Sequence, residues 1–134
     1  MTGPAGTGTG TGGGQDLTVG QLAEQAAEAI RALNHLTRPA TTALRDPAEA
    51  GDLAAALSCL TGRLPQLLGQ LNRWLTGQQQ AGHLQTDTRP SAPDSAAAVQ
   101  AVTGHLDQAA ACAQQVSDAL DAAHQHLAHL STTP

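Results

Sequence analysis

The sequence almost lacks aromatic residues: Trp74 is the single member of that class, and there is no Phe or Tyr among 134 residues. Lys is also absent, so all six basic residues are Arg. Because the missing residues use mainly AT-rich codons, the simplest interpretation is a GC-rich genome. The physical result is a core of Leu and Ala, which buries less area per residue than an aromatic core. Ala partly compensates, because it has the highest helix propensity and lets helices approach closely.

The sequence also lacks an excess of basic residues, a membrane-spanning apolar run and a signal peptide. The net charge is −5, whereas a nucleic-acid surface needs clustered cations. No apolar run approaches the roughly 18 to 20 residues that span a bilayer. The first residues, MTGPAGTGTGTGGGQ, lack the basic start and apolar stretch of a signal peptide. We therefore expect a cytoplasmic protein that binds neither nucleic acid nor membrane.

Catalytic and metal-binding signatures are missing as well. Ser58 and Ser117 lie in no Gly-x-Ser-x-Gly motif, and no phosphate-binding loop is present. Six histidines occur, of which His126 and His129 could share a helical face, but there is no Cys-x-x-Cys or His-Glu-x-x-His pattern. We expect no catalytic residues, no cofactor and no metal site, and hence no enzyme.

The two cysteines, Cys59 and Cys112, fall at the same level of the helical hairpin predicted below. A disulfide would need α-carbons about 5.5 Å apart and converging side chains. In a reducing cytoplasm two free thiols are the default. We expect them to behave as small, partly buried apolar residues.

The chain length indicates one domain. Residues 1–16 form a Thr/Gly-rich tail that cannot bury apolar surface, which predicts disorder. Residues 17–134 are predicted to form a single helical bundle domain. Its first helix is expected over residues 18–37, because Thr18 and Gln21 match a capping box and Pro39 disfavours helix in the residue before it.

A second helix is predicted over residues 47–77. Asp46 caps it, Pro47 takes its first position and Gly77 is a natural stop. Pro65 lies inside this helix, where it removes one backbone hydrogen bond. The spacing of leucines continues through it, which favours a kinked helix; a helix split at Pro65 is the alternative.

A third helix is predicted over residues 92–131, with Ser91 as its cap. Both long helices carry apolar residues in 3-4 alternation, the spacing of two helices packed along their length. The predicted seam of the second helix is Leu53, Leu57, Leu60, Leu64, Leu67, Leu71 and Trp74. That of the third helix is Val99, Val102, Leu106, Ala109, Ala113, Val116, Leu120, Ala123, Leu127 and Leu130.

These seams predict an all-α fold: an antiparallel three-helix bundle with a long hairpin of the second and third helices. If the hairpin folds about the centre of its loop, residues at the same level of the two helices have numbers that add up to about 169. The first helix should cover one half of this hairpin and is too short to reach its tip. An apolar patch at the tip would mark an association surface. Its predicted residues are Leu67, Leu68, Leu71, Trp74, Leu75, Val99 and Val102. The alternative is ordinary core, covered by a tilted first helix or by the loop folding back through Leu84.

The stretches AEAIRALNHLT and GRLPQLLGQLNRWL resemble short, uncharacterised helical proteins of GC-rich actinobacteria, over residues 22–76. That resemblance implies a lineage and no activity. A more distant similarity is to the Trp-x-Gly helical-hairpin proteins of type VII secretion, through Trp74 and Gly77. Here two residues separate Trp from Gly, and the chain has no Tyr for the Tyr-based export signal of those proteins.

The sequence therefore predicts a non-enzymatic helical interaction module. It would associate with a second copy or a partner helix through the Leu67–Trp74 end. A small secreted hairpin protein of the type VII secretion kind is the alternative.

Overall fold

The computed structural model describes residues 16–87 and 94–134 and is all-α within those ranges, with three helices. The predicted fold class is thereby confirmed. The chain divides into two compact units, one ending at Arg45 and the other beginning at Asp46. The predicted disorder of the N-terminal tail concerns residues that, apart from Asp16, lie outside the described ranges.

Among residues 16–45 the first unit contains one helix, α1, which spans Val19–Leu36. Thr18 caps it through a complete capping box. Its Oγ1 accepts a hydrogen bond from the Gln21 backbone N–H, while its own N–H donates to the Gln21 Oε1 at 2.9 Å. These two bonds satisfy backbone donors that the first turn of any helix leaves open. At the other end the Thr37 hydroxyl donates to the Leu33 carbonyl at 2.8 Å.

The second unit begins with α2, which spans Pro47–Gln80 without interruption. The Asp46 carboxylate accepts from the Glu49 N–H at 2.9 Å, with Pro47 in the first turn. Pro65 lies inside this single helix, so the alternative of a helix split there is wrong. Gly77 does not end the helix either. The chain leaves the helix at Ala81 and Gly82, and Gly82 has a φ of 76°, the left-handed conformation that favours glycine.

Helix α3 spans Ser95–Leu127. Its cap is Asp94, whose carboxylate accepts from the Ala97 N–H at 2.7 Å. The predicted cap, Ser91, lies outside the described residues, and the observed helix starts four residues after it. Asp94 directly precedes Ser95, the first residue of the helix, so its carboxylate is in place to accept from the first turn.

Helices α2 and α3 pack side by side as an antiparallel hairpin. Three cross-helix hydrogen-bonded pairs fix its register: Gly51 with His124, Ser58 with Ser117, and Asn72 with Thr103. The residue numbers of each pair add up to 175, where the predicted pairing gave about 169. The prediction placed the turn too early, because α2 continues beyond Gly77. A six-residue shift corresponds to about 9 Å along a helix.

The seam between the two helices consists of half-buried and buried residues in 3-4 alternation, mostly small or polar. In α2 these are Gly51, Ala54, Ser58, Thr61, Pro65, Leu68, Asn72 and Leu75. In α3 they are Val99, Thr103, Leu106, Ala110, Ala113, Ser117, Leu120, His124 and Leu127.

The predicted seam of α2 is therefore wrong by one position, since every leucine chosen for it directly precedes a seam residue. In α3 five of the ten predicted positions lie in the seam and four lie beside it, whereas Leu130 lies beyond the end of the helix at Leu127. The physical reason is visible at Ala54, Ser58, Ala113 and Ser117, which are all buried. Small side chains let the helices approach closely there, and the two serines hydrogen-bond across the gap.

Candidate interaction surface

The large apolar residues of α2 lie in one row beside the seam, here called the leucine row. It consists of Leu53, Leu57, Leu60, Leu64, Leu67, Leu71 and Trp74. The residues near the hairpin turn are the most exposed, with Leu67 at 54% and Trp74 at 57%. Leu60 and Leu71 are also exposed, whereas Leu53, Leu57 and Leu64 are half-buried. A run of exposed leucines that ends in the only tryptophan is an apolar patch of the kind that marks association surfaces.

A second row lies beside the seam in α3, here called the alanine row. It consists of Ala98, Val102, His105, Ala109, Cys112, Val116, Ala119, Ala123 and His126. Each member directly precedes a seam residue, as each member of the leucine row does in α2. Because the helices are antiparallel, positions on this flank of the seam lie on the same side of the hairpin in both helices. The two rows together form one face, here called the apolar face.

The apolar face carries no formally charged residue. Helices α2 and α3 hold seven acidic or arginine side chains, and every one lies at another position. They are Glu49, Asp52, Arg63, Arg73, Asp107, Asp118 and Asp121. Asp107 and Asp121 lie on the opposite flank, where they accept hydrogen bonds from Asn72 and Ser58. Charge and apolar surface are thus separated on two sides of the hairpin.

The residues predicted for the interaction surface divide into two groups. Leu67, Leu71, Trp74 and Val102 are exposed on the apolar face. The other three predicted residues are half-buried in the seam; they are Leu68, Leu75 and Val99. The prediction omitted Leu60 and Val116, which are exposed on the same face. The sequence could have identified them, because both belong to a row in 3-4 alternation that contains no formally charged residue.

The loop after α2 turns back towards α3 near the hairpin tip. Leu84, Val99 and Val102 line a shallow cavity of about 130 Å³ together with neighbouring side chains. The alternative prediction, in which the loop folds back through Leu84 over the patch, therefore holds in part, at Val99 and Val102. Leu67, Leu71 and Trp74 do not line the cavity, and they stay exposed. Trp74 and Gly77 also lie within α2 and not in the hairpin turn.

A polar cluster crosses the seam near the middle of the hairpin. The Ser58 Oγ lies 2.5 Å from the Asp121 Oδ1 and 3.2 Å from the Ser117 Oγ. The Ser117 hydroxyl in turn reaches the Ser58 carbonyl at 3.1 Å. A carboxylate only accepts, so the Ser58 proton is directed to Asp121 and the Ser117 hydroxyl donates back to Ser58. Both serines are buried, so this cluster links the two helices within the seam.

Two other polar contacts mark the ends of the hairpin. At the end opposite the tip, the base, the His124 Nδ1 lies 2.9 Å from the Gly51 carbonyl oxygen, to which it donates. Nearer the tip, the Asn72 side-chain amide donates to Asp107 at 2.7 Å. The Asn72 Oδ1 is buried without a hydrogen-bond partner. Such an orphaned acceptor costs roughly 1 to 3 kcal/mol, so the seam is less well satisfied towards the tip.

Metal ligands do not converge in the part of the chain that the structure describes: no three His, Cys, Asp or Glu side chains are grouped to hold an ion there. Cys59 and Cys112 are free and exposed. The expectation of partly buried thiols is therefore wrong, because both cysteines lie beside the seam and not in it. Among the helices of residues 16–87 and 94–134, none has the length and apolar character to cross a membrane.

Comparison with family models, curated proteins and solved structures finds no match to this chain.

Proposed function

We propose that this protein is a non-enzymatic helical interaction module that docks a helical partner on the apolar face of its α2/α3 hairpin. The observation that carries the proposal is the exposure of Leu67, Leu71, Trp74 and Val102 on one face that bears no formal charge. Fully burying a Leu or Val side chain contributes about 1.5 to 3 kcal/mol. These residues are roughly half exposed, so each leaves about 1 kcal/mol to be gained on association.

The arrangement of polar groups supports the same reading. The cross-helix hydrogen bonds lie in the seam or on the flank opposite the apolar face. A partner could therefore cover the apolar face without breaking any of those bonds. The face is also built on two continuous helices, which fixes the spacing of its side chains along each helix.

The two free cysteines support a cytoplasmic location as part of this proposal. Disulfides persist in oxidising compartments and are rare in the cytoplasm. Cys59 and Cys112 are both exposed and unpaired with each other. We place the module in the cytoplasm on that ground.

The test is a charge placed in the apolar face. Sedimentation or light scattering of the wild-type chain across micromolar concentrations should show an associated species. Leu67→Arg should lower the average mass, because an Arg side chain would have to be desolvated in the interface. Since Trp74 is the single tryptophan, its fluorescence should shift to the blue as the wild-type protein is concentrated.

The matched control is Gln66→Arg, which introduces the same charge one residue away. Gln66 is exposed and lies on the other flank of the seam, so its variant should associate as the wild type does. Circular dichroism of both variants should show the same helical content. A wild-type chain that stays monomeric at high micromolar concentration, with Trp74 emission independent of concentration, would contradict self-association through this face. Equal loss of association in both variants would contradict its assignment to the apolar face.

A further inference from the structure

We propose that the occupant of the apolar face is a second copy of this chain, related by a two-fold axis that runs along the hairpin. The leucine row of each copy would pack on the alanine row of the other, and both tips would lie at the same end. This inference rests on the proposed function and names its partner and geometry.

The first argument is the difference in size between the two rows. Leu67 lies at the level of Ala109, Leu57 at that of Ala119, and Leu53 at that of Ala123, as the register of the hairpin requires. A ridge of large side chains on α2 thus runs beside a trough of small ones on α3. Packing ridges into grooves is how helices reach dense contact, and a face that carries both can be complementary to itself.

The second argument is the choice of symmetry axis. A two-fold axis along the hairpin exchanges left and right, which places the leucine row of one copy over the alanine row of the other at the same level. A two-fold axis across the hairpin would stack leucine row on leucine row and leave the alanine rows facing each other across a gap. Protein interiors avoid voids and overpacking. Size complementarity therefore selects the axis along the hairpin.

Charge and area fit the same occupant. Two hairpins placed face to face bring no formal charges together, because the apolar face carries none; the seven charged side chains of α2 and α3 all lie at other positions. From Leu53 to Trp74 the face is about 30 Å long and two helices, about 20 Å, wide. The resulting area of about 600 Å² per copy approaches the roughly 800 Å² per partner of a standard interface.

A first experiment fills the trough. Ala109 is exposed in the hairpin, so Ala109→Trp should leave the fold of one copy unchanged while its ring occupies the place of Leu67 of the second copy. The expected result is at least a tenfold weaker dimer by sedimentation. Ala111→Trp is the matched control, because Ala111 is exposed on the same helix and outside the apolar face; it should dimerise as the wild type does.

A second experiment reads the geometry by cross-linking. The proposal places Leu64 of one copy over Cys112 of the other, within the about 5.5 Å between α-carbons that a disulfide needs. In a Cys59→Ser background, Leu64→Cys should form an intermolecular disulfide with Cys112 when oxidised glutathione accepts the two electrons and two protons. A protein with Cys59→Ser, Cys112→Ser and Leu64→Cys should not cross-link, because the two Leu64 positions lie on diagonal helices.

The outcomes separate this inference from the proposed function. Suppose that Leu67→Arg breaks the dimer, but cross-links form only between position 64 of one copy and position 64 of the other. The leucine rows would then pack on each other, which would contradict the proposed axis and leave the proposed function standing. A dimer that tolerates Ala109→Trp would contradict the proposed axis too. A chain that is monomeric throughout, with its cysteines cross-linked only within one copy, would contradict the proposal that a second copy occupies the apolar face. A mass that fits no dimer would contradict it as well.

Discussion

The hydroxyl oxygens of Ser58 and Ser117 lie 3.2 Å apart across the α2/α3 seam, and each lies within 3.2 Å of the other residue's carbonyl oxygen. Serine side chains are small enough to let the helices approach closely, and they also form directional hydrogen bonds. Apolar residues alone would tolerate sliding by one turn, whereas this pair is satisfied at one register only.

The polar cluster should be energetically coupled. Ser58→Ala removes the donor to Asp121 and should lower the free energy of unfolding by about 1 kcal/mol, the usual net value of one hydrogen bond. A double-mutant cycle of Ser58→Ala with Asp121→Ala, measured by urea denaturation, should give a coupling of about 1 kcal/mol. The Gln114–Asp118 pair is exposed on α3 with a 3.0 Å hydrogen bond. As the control cycle it should give no more than about 0.5 kcal/mol.

Pro65 should be a net cost to the isolated fold. It lies in the interior of α2 and half-buried in the seam, where the ring removes one backbone donor. Pro65→Ala should raise the free energy of unfolding by about 1 to 3 kcal/mol, measured by urea denaturation. A less stable Pro65→Ala protein would show that packing of the ring in the seam outweighs the lost hydrogen bond. Association of this variant should be followed alongside, since a bend in α2 would shape the apolar face.

The glycines of α2 and of the turn after it should respond differently to alanine according to their surroundings. Nothing lies within 4 Å of a methyl group built on Gly77, so Gly77→Ala should stabilise the helix by about 0.5 to 1 kcal/mol. A methyl on Gly62 would lie 3.1 Å from the Ser117 Oγ, so Gly62→Ala should gain less, or lose stability. Gly82→Ala should be destabilising, because Gly82 has a φ of 76°. Thermal denaturation of the three variants in parallel checks the order.

The histidines should bind zinc weakly. His124 is engaged with the Gly51 carbonyl, and the part of the chain described by the structure brings no three ligands together. Titration with zinc at neutral pH should therefore raise Tm by no more than about a degree, because stabilisation by a ligand scales with its affinity. Stoichiometric sub-micromolar binding, lost in His126→Ala and His129→Ala, would refute this expectation.

Helix positions could be predicted from the sequence because their signals are local. Thr18 with Gln21, and Asp46 with Pro47, sit at the starts of helices that the structure shows. The ends were harder, since Gly77 and Gly82 are both credible stops and only a positive φ distinguishes them. The register was harder still, because it depends on where the turn lies, and a misplaced turn shifts every cross-helix pair.

The choice of seam shows why hydrophobic periodicity alone is not enough. The leucine row and the true seam run in the same 3-4 alternation, one residue apart, so both patterns fit a packed hairpin. The stronger apolar pattern predicted the seam at Leu57 and Leu60, but Ser58 and Thr61 occupy it. The positions of charges would have helped. Asp107 and Asp121 lie on the flank opposite the leucine row, so the seam lies between that charged flank and the leucine row.

The uneven distribution of buried residues along the hairpin bears on its motions. The five buried residues of helices α2 and α3 lie in the base half, within Gly51–Ser58 and Ala113–Ser117; none lies in residues 60–80 or 95–112. Backbone amides around Ser58 and Ser117 should therefore exchange with solvent slowest, and those near the tip should exchange through local opening at low free energy. The stretch with the most exposed leucines is thus also the one that the chain holds together least by itself. A molecule that covers it would slow exchange there first.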